Sequence, residues 1–231
     1  MNDSANDNPQ LTLDPPGSIA IVGAGTHGIE AGLYGRFLGY DVTVLEKGVI
    51  GQNMLQASDE DLTVLPDQCL SPLALSAVTA QHAAENPSDP PLTFPTTVRE
   101  WVYLGLVPLS ESDLLRGRVE TGKHVTNIAP MEVEQDNATE DVADFPADFL
   151  LTHIDANGLI ETLHVEAVII ATGEHCDIQF GFALPFPYLF RIGPTTSTDN
   201  QGMHANRRRI VEIYSQLAGR SDLDLYRPQR V

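Results

Sequence analysis

The sequence of 231 residues predicts an α/β fold, with a doubly wound, mainly parallel sheet and an antiparallel β-meander. Three stretches carry this prediction. Residues 18–48 have a strand–helix–strand pattern, residues 149–165 a hairpin pattern, and residues 167–173 (AVIIATG) form an apolar run that ends in a tight turn. Apolar runs of this kind suit parallel strands that are buried on both faces.

Three glycines follow the first strand in G-x-G-x-x-G spacing: Gly23, Gly25 and Gly28. Gly23 permits the tight turn into the helix, Gly25 lets the backbone approach a pyrophosphate, and Gly28 lets the helix pack close to the strand. Phosphates would then meet free N–H groups at the helix N-terminus, where the macrodipole favours negative charge. The alternative is a glycine-rich turn that binds nothing.

The helix after the loop is predicted by apolar Ile29, Leu33 and Phe37 at i, i+4 and i+8, and Gly39 is its expected C-cap. The next strand, residues 42–45, leads to Glu46, which lies 23 positions after Gly23. An acidic residue at this distance accepts hydrogen bonds from ribose hydroxyls and repels a 2′-phosphate. The pattern therefore argues against NADP at this site.

Composition narrows the class of protein. A hydrophobic content of 42% with 19% charged residues is typical of a globular chain. A net charge of −19 argues against non-specific binding of nucleic acid or anionic membranes. No apolar run reaches the roughly 20 residues of a membrane span, and the N-terminus has no signal-peptide pattern, so we expect a cytoplasmic protein. Two cysteines without metal-ligand spacing indicate reduced thiols and no metal site.

The remaining elements follow from local patterns. We expect a polar, disordered tail at 1–16, one dinucleotide-binding domain at 17–219 and a C-terminal tail at 220–231. Hairpin strands at 149–154 and 159–165 flank an Asn157–Gly158 turn. Further expected strands are 62–65, 119–128 and 188–192. The expected helices are 72–84, 97–109, a short one at 112–115, and 206–217. Ser71 is the expected N-cap of the first helix, and Gly219 is expected to end the last. Residues 132–146 are an expected loop.

The glycine loop with Glu46, the hairpin and the AVIIATG strand together resemble the FAD-binding domain of the two-dinucleotide-domain flavoproteins, both glutathione-reductase-like and flavin-monooxygenase-like. The resemblance implies a Rossmann-like fold and FAD as the cofactor, with NAD as the alternative. It implies that the three glycines cradle the pyrophosphate, Glu46 holds the adenosine ribose, and the Val125 backbone faces the adenine. The implied cofactor-binding residues are Gly23, Ala24, Gly25, Thr26, His27, Gly28, Glu46, Lys47, Val125, Thr172 and Gly173.

The sequence departs from that family in two places. Pro194 follows Gly193 where the family has an acid, and there is no second G-x-G-x-x-G for a nicotinamide-nucleotide domain. We therefore expect an FAD-binding, oxidoreductase-like protein of unassigned substrate, whose electrons come from a separate donor. The competing hypothesis is a non-catalytic dinucleotide-binding module, for FAD or NAD, or a degenerate flavoprotein. The sequence sets no oligomeric state.

Candidate catalytic side chains are few, and none is assigned. His27 is expected to be a solvent-facing loop residue in preference to a phosphate or flavin contact. His175 and Cys176 follow the ATG turn, where a loop or packing role is as well supported as a substrate contact. Trp101 and Tyr103 are expected in the core. A basic run at 207–209 is expected to be a solvated patch.

Overall fold

The computed structural model describes residues 12–56, 60–85, 94–131, 148–173, 177–193 and 200–227. The strands are β1 (Ser18–Val22), β2 (Asp41–Glu46), β3 (Val119–Thr121), β4 (His124–Pro130), β5 (Phe149–Ile154), β6 (Ile160–Val165), β7 (Ala167–Ile170), β8 (Gln179–Phe180) and β9 (Leu189–Arg191). The helices are α1 (Thr26–Phe37), α2 (Gln52–Leu55), α3 (Pro72–Glu85), α4 (Val98–Trp101), α5 (Val107–Ser110) and α6 (Asn200–Leu217). A 3-10 turn covers Pro66–Gln68, and a π-helical turn, Val102–Leu106, joins α4 to α5.

A five-stranded sheet in the order β3-β2-β1-β7-β9 organises the domain, and its strands are parallel. Val22 at the end of β1 pairs with Leu45 on one side and with Ile170 on the other. The carboxyl ends of β1, β2 and β7 therefore lie side by side. This register confirms that the glycine loop and the ATG turn meet at the same edge of the sheet.

The second sheet has the order β6-β5-β4-β8 and is antiparallel except for the β4–β8 pair. The predicted hairpin corresponds to β5 and β6. The single strand predicted at 119–128 is wrong, because β3 belongs to the first sheet and β4 to the second. Gly122, with a φ of +70°, turns the chain between them.

The two faces of the parallel sheet are covered by different layers. Ile19 and Ile21 of β1 pack in one core cluster with residues of α1, α3 and α6. Ala20 and Val22 pack in another cluster with the inner face of the second sheet. Because both faces of β1 are buried, its sequence is a continuous apolar run instead of an alternating one.

Several helix predictions are confirmed in position. Gly39 follows α1 with a φ of +95°, and its N–H donates to Arg36 O. Ser71 Oγ accepts a 3.1 Å hydrogen bond from Ala74 N, as expected for the N-cap of α3. The helix predicted at 97–109 is present as α4, the π-helical turn and α5.

Three local predictions need correction. Residues 62–65 form no strand, and the chain near them has only an isolated bridge between Asp61 and Thr97. Residues 112–115 form turns in place of a helix. Helix α6 begins at Asn200, six residues before the predicted start. In each case a short or weakly periodic pattern was the only local signal.

Residues outside the predicted 17–219 domain also pack against its core. Leu13 is 6% exposed, and its N–H donates to Leu217 O. Leu223 is buried in the same cluster, and the Tyr226 ring lies 5.1 Å from that of Tyr34. The loop expected at 132–146 lies outside the described residues. Among the described helices, none is long and apolar enough to cross a membrane.

Candidate functional site at the carboxyl edge of the parallel sheet

A cleft of about 860 Å³ opens at the edge where β1, β2 and β7 end. Its walls come from the glycine loop, the end of β2, α2, the start of β4 and the turn after β7, with Trp101 and Met203 completing them. Ligands of open α/β sheets bind at this edge, and small-molecule sites commonly have volumes of about 300–1,000 Å³. The cleft is therefore the candidate site.

Two glycines of the loop are required by the protein's own packing. Gly23 has a φ of +106°, and a Cβ there would lie 2.8 Å from Ala171 O. A Cβ at Gly28 would lie 1.8 Å from Gly23 O. Gly28 thus allows α1 to start against the backbone of the loop, and Gly23 allows the loop to lie against the end of β7.

Gly25 lines the cleft, as Gly23 does, but its backbone conformation is accessible to any residue. It is the N-cap of α1, with a φ of −77° and a ψ of −176°, and no side chain caps the helix there. The first turn of α1 contains no acidic residue. The N–H groups of an uncapped first turn are free to bind an anion, and the helix macrodipole favours negative charge at this point.

Glu46 fixes the glycine loop to the end of β2. Its Oε2 accepts a 2.7 Å hydrogen bond from Ala24 N, and its Oε1 accepts a 2.9 Å hydrogen bond from Gly48 N. Each carboxylate oxygen has a second lone pair that remains available to a ligand. Glu46 therefore shapes the loop and still offers acceptors to the cleft that it lines.

Titratable side chains surround the end of the cleft next to β4. Asp177 Oδ2 lies 3.2 Å from Lys47 Nζ and 3.0 Å from His124 Nε2. The hydrogen bond from Lys47 holds the pKa of Asp177 below its usual value. Val125 is 2% exposed and lines the cleft beside this group. The resemblance described above implies that the adenine lies against the backbone of Val125.

Three apolar side chains, Met54, Trp101 and Met203, line another part of the cleft, its apolar end, and they pack in one hydrophobic cluster. Thr26 Oγ1 donates to the Met54 sulfur at 3.3 Å, which ties α2 to the glycine loop. The π-helical turn that follows Trp101 belongs to a class of distortion that is frequent at functional sites.

Three side chains that line the cleft have buried polar atoms without a hydrogen-bond partner. These atoms are both ring nitrogens of His27, Nε1 of Trp101 and Oγ1 of Thr172. Native proteins pair most of their buried polar atoms, so such a concentration beside one cleft needs an explanation. A ligand with hydrogen-bonding groups along its length fits this distribution.

His27 is neutral at physiological pH. Burial, and to a smaller extent the Arg207 guanidinium, lower its pKa to about 4. Cys69 is also buried, and burial raises the pKa of its thiol to about 12, so it does not act as a thiolate nucleophile. Within the described ranges, no group of three or more His, Cys, Asp or Glu residues could hold a metal ion.

The cleft brings together eight of the predicted site residues: Gly23, Gly25, Thr26, His27, Glu46, Lys47, Val125 and Thr172. Ala24, Gly28 and Gly173 lie beside it without lining it; Ala24 contributes its N–H to Glu46, and Gly173 has a φ of +80° in the turn after β7. His175, Cys176 and Pro194 lie outside the described residues.

Sequence reasoning missed several residues of the cleft: Gln52, Asn53, Met54, Gln56, Lys123, His124, Asp177, Ile178 and Met203. Most of them follow the carboxyl end of a strand or begin the next one, so the rule that ligands bind at that edge could have found them. Met203 has no such signal, because it comes from α6, far along the chain.

Three expectations about single side chains are wrong. His27 is 2% exposed and is not a solvent-facing residue. Arg207 is 9% exposed and does not belong to a solvated patch. Tyr103 is 52% exposed and lies outside the core, whereas Trp101 is buried as predicted.

Known structures share this architecture. THI4 of Thermovibrio ammonificans matches with a TM-score of 0.55 and 14% identity, over 87% of this chain and 90% of that chain. Ornithine hydroxylase PvdA of Pseudomonas aeruginosa matches with a TM-score of 0.50 and 17% identity over 68% of this chain. Bacillithiol disulfide reductase Bdr (YpdA) of Bacillus cereus matches with a TM-score of 0.47 and 16% identity over 68% of this chain.

The matches to THI4 and to the ornithine hydroxylase show the class of fold. The chain is a Rossmann-like α/β domain with a β-meander layer, and the fold class predicted from the sequence is confirmed. The chain spans 40% of the length of the bacillithiol disulfide reductase and 38% of that of the ornithine hydroxylase. No protein-family model matches the sequence, and no curated protein matches it.

Proposed function

We propose that this protein binds FAD in the cleft and acts as an oxidoreductase-like flavoprotein, with NAD as the alternative dinucleotide. One observation carries the proposal: eight residues predicted from the sequence to contact a dinucleotide line a single cleft at the uncapped N-terminus of α1. When bound, FAD would supply the redox chemistry, and the protein would supply binding and orientation.

Different residues of the cleft would bind different parts of such a ligand. The first-turn N–H groups of α1 would bind the diphosphate, and Gly25 leaves room for it. Glu46 would accept hydrogen bonds from the adenosine ribose, and Val125 would lie against the adenine. The second ring system would occupy the apolar end, where Trp101 Nε1 lacks a partner within the protein.

A competing function is a dinucleotide-binding module without turnover, and one observation favours it. The titratable side chains that line the cleft, such as Lys47, His124 and Asp177, surround its β4 end. Beside the apolar end, His27 is the titratable group that lines the cleft, and it holds no extra proton at pH 7. Under this alternative the protein binds FAD or NAD, but a bound flavin is not reduced by NADH, NADPH or a reductase.

The first test is the visible spectrum of the freshly purified protein, followed by identification of any flavin released on heating. Trp101 is the chain's one tryptophan, and it lines the cleft, so its fluorescence can follow titrations with FAD, NAD and ADP. We expect FAD to bind and to quench this emission. Binding of NAD but not FAD would select the alternative cofactor, and binding of neither would reject the proposal.

A further inference from the structure

A buried ion pair lies directly behind the glycine loop. Glu30, one turn into α1, is 1% exposed, and Arg207 of α6 is 9% exposed. Glu30 Oε1 lies 3.8 Å from Arg207 Nη2 and accepts a 2.7 Å hydrogen bond from Ser71 N. Arg207 Nη2 also donates to Gln68 O at 2.8 Å. Neither Glu30 nor Arg207 lines the cleft.

The position of Glu30 is unfavourable for an anion site. It follows Thr26, the first residue of α1, by four positions, and at 1.5 Å per residue this places it about 6 Å along the helix from the N-terminus. A dinucleotide diphosphate there would carry two negative charges. Because buried charges are poorly screened by salt, an uncompensated carboxylate at this depth would repel the ligand.

The geometry of the Glu30–Arg207 pair is that of two nearby opposite charges and not of a bidentate hydrogen-bonded pair. A bidentate Arg–carboxylate pair has two bonds of about 2.8 Å, whereas the contact here is 3.8 Å. Arg207 Nε has no hydrogen-bond partner. The guanidinium nevertheless lies close enough to His27, which lines the cleft, for its charge to act on that ring.

We propose that Arg207 is a buried counter-charge that prevents Glu30 from repelling the diphosphate of a nucleotide bound at the glycine loop. The inference rests on the proposed function, since it assumes that the diphosphate lies at the N-terminus of α1. Arg207 then has a positioning role: its charge compensates that of Glu30, and it acts on the ligand by electrostatic attraction without contact. The effect of removing Arg207 must therefore grow with the negative charge of the ligand.

The test measures dissociation constants for ADP and for uncharged adenosine in four proteins: wild type, Arg207→Met, Glu30→Gln and the double variant. We expect Arg207→Met to weaken ADP binding by about tenfold or more and to change adenosine binding by less than about twofold. In the double variant, the added Glu30→Gln should return ADP binding to within about threefold of wild type. Glu30→Gln alone should tighten ADP binding relative to adenosine, because Arg207 is then uncompensated.

Loss of packing predicts a different result. If Arg207→Met weakens adenosine and ADP by the same factor, Arg207 is a structural residue and the inference is wrong. If Arg207→Met does not fold, the other two variants decide: an unchanged ratio of ADP to adenosine affinity in Glu30→Gln, or weak ADP binding in the double variant, overturns it. Wild-type protein that binds neither ADP nor FAD overturns the proposed function itself.

Discussion

Gly25 and Gly28 lie three positions apart on the glycine loop, but they face different surroundings. A side chain at Gly28 would collide with the carbonyl oxygen of Gly23, inside the protein. Gly25 lies on the wall of the cleft, and its φ of −77° is accessible to any residue. One glycine is therefore needed for folding and the other for the ligand. The G-x-G-x-x-G spacing does not distinguish these two requirements.

The largest expected effect comes from a substitution at Gly28, the glycine of the loop that faces the interior of the protein. Gly28→Ala places a Cβ 1.8 Å from Gly23 O, and we expect the free energy of unfolding to fall by about 4 kcal/mol. Urea denaturation measures this loss. Gly117→Ala is the matched control, because no atom lies within 4 Å of its Cβ and only its φ of +73° opposes the change, at about 1–2 kcal/mol. Equal losses in the two variants would contradict the packing argument.

The second largest effect is expected from a substitution at Gly25, on the wall of the cleft. Gly25→Val should weaken FAD binding at least a hundredfold, about 3 kcal/mol, because its side chain occupies the approach of the diphosphate. The backbone of Gly25 suits valine, so the unfolding temperature of the free protein should stay close to that of wild type. Titration calorimetry and a thermal melt measure both quantities. If Gly25→Val binds FAD as tightly as wild type does, the diphosphate does not lie at this loop.

The third effect concerns His27, which is buried in the protein and also lines the cleft. Its pKa of about 4 lies below the usual 6.5, so the unfolded chain binds a proton more readily than the folded one between these values. The stability that neutral His27 provides is therefore present near pH 7 and is lost as the pH falls. The loss from pH 7 to pH 5 should be about 2 kcal/mol.

Urea denaturation of wild type and of His27→Gln at both pH values isolates this contribution. His27→Gln should lose less stability than wild type on acidification. The same substitution at the exposed His204 serves as the control and should leave the wild-type loss unaltered. If wild type and His27→Gln respond equally to pH, His27 is not held neutral by the fold.

The smallest expected effect concerns Glu46, because its carboxylate already accepts hydrogen bonds from two backbone N–H groups. Glu46→Gln should weaken ADP binding by about 1 kcal/mol, the net value of one hydrogen bond. A comparison with 2′,3′-dideoxy-ADP sharpens the assignment. If Glu46 contacts the ribose, Glu46→Gln weakens ADP and leaves the dideoxy analogue unaltered; equal weakening of both nucleotides would limit Glu46 to shaping the loop.

The strand–loop–helix–strand unit could be predicted closely because its signals are local. β1, α1 and β2 occur where the apolar runs and glycines place them, and Gly39 follows α1 as expected. The region between β2 and β3 was predicted less well. Its short helices depend on contacts with α6 and the glycine loop, such as those of Met203 with Trp101 in one cluster, and these contacts have no local signature.

The sequence by itself determined the positions of β1, α1 and β2, the glycine loop and the acid at the end of β2, because periodicity and spacing encode them directly. Only the tertiary structure decided which polar side chains are buried. The packing of α6 against α1 buries Arg207 beside Glu30, and the cleft takes Trp101 from α4 and Met203 from α6. Burial depends on neighbours that are distant in the chain, so side-chain ionisation and most of the apolar end of the cleft could not be read from local patterns.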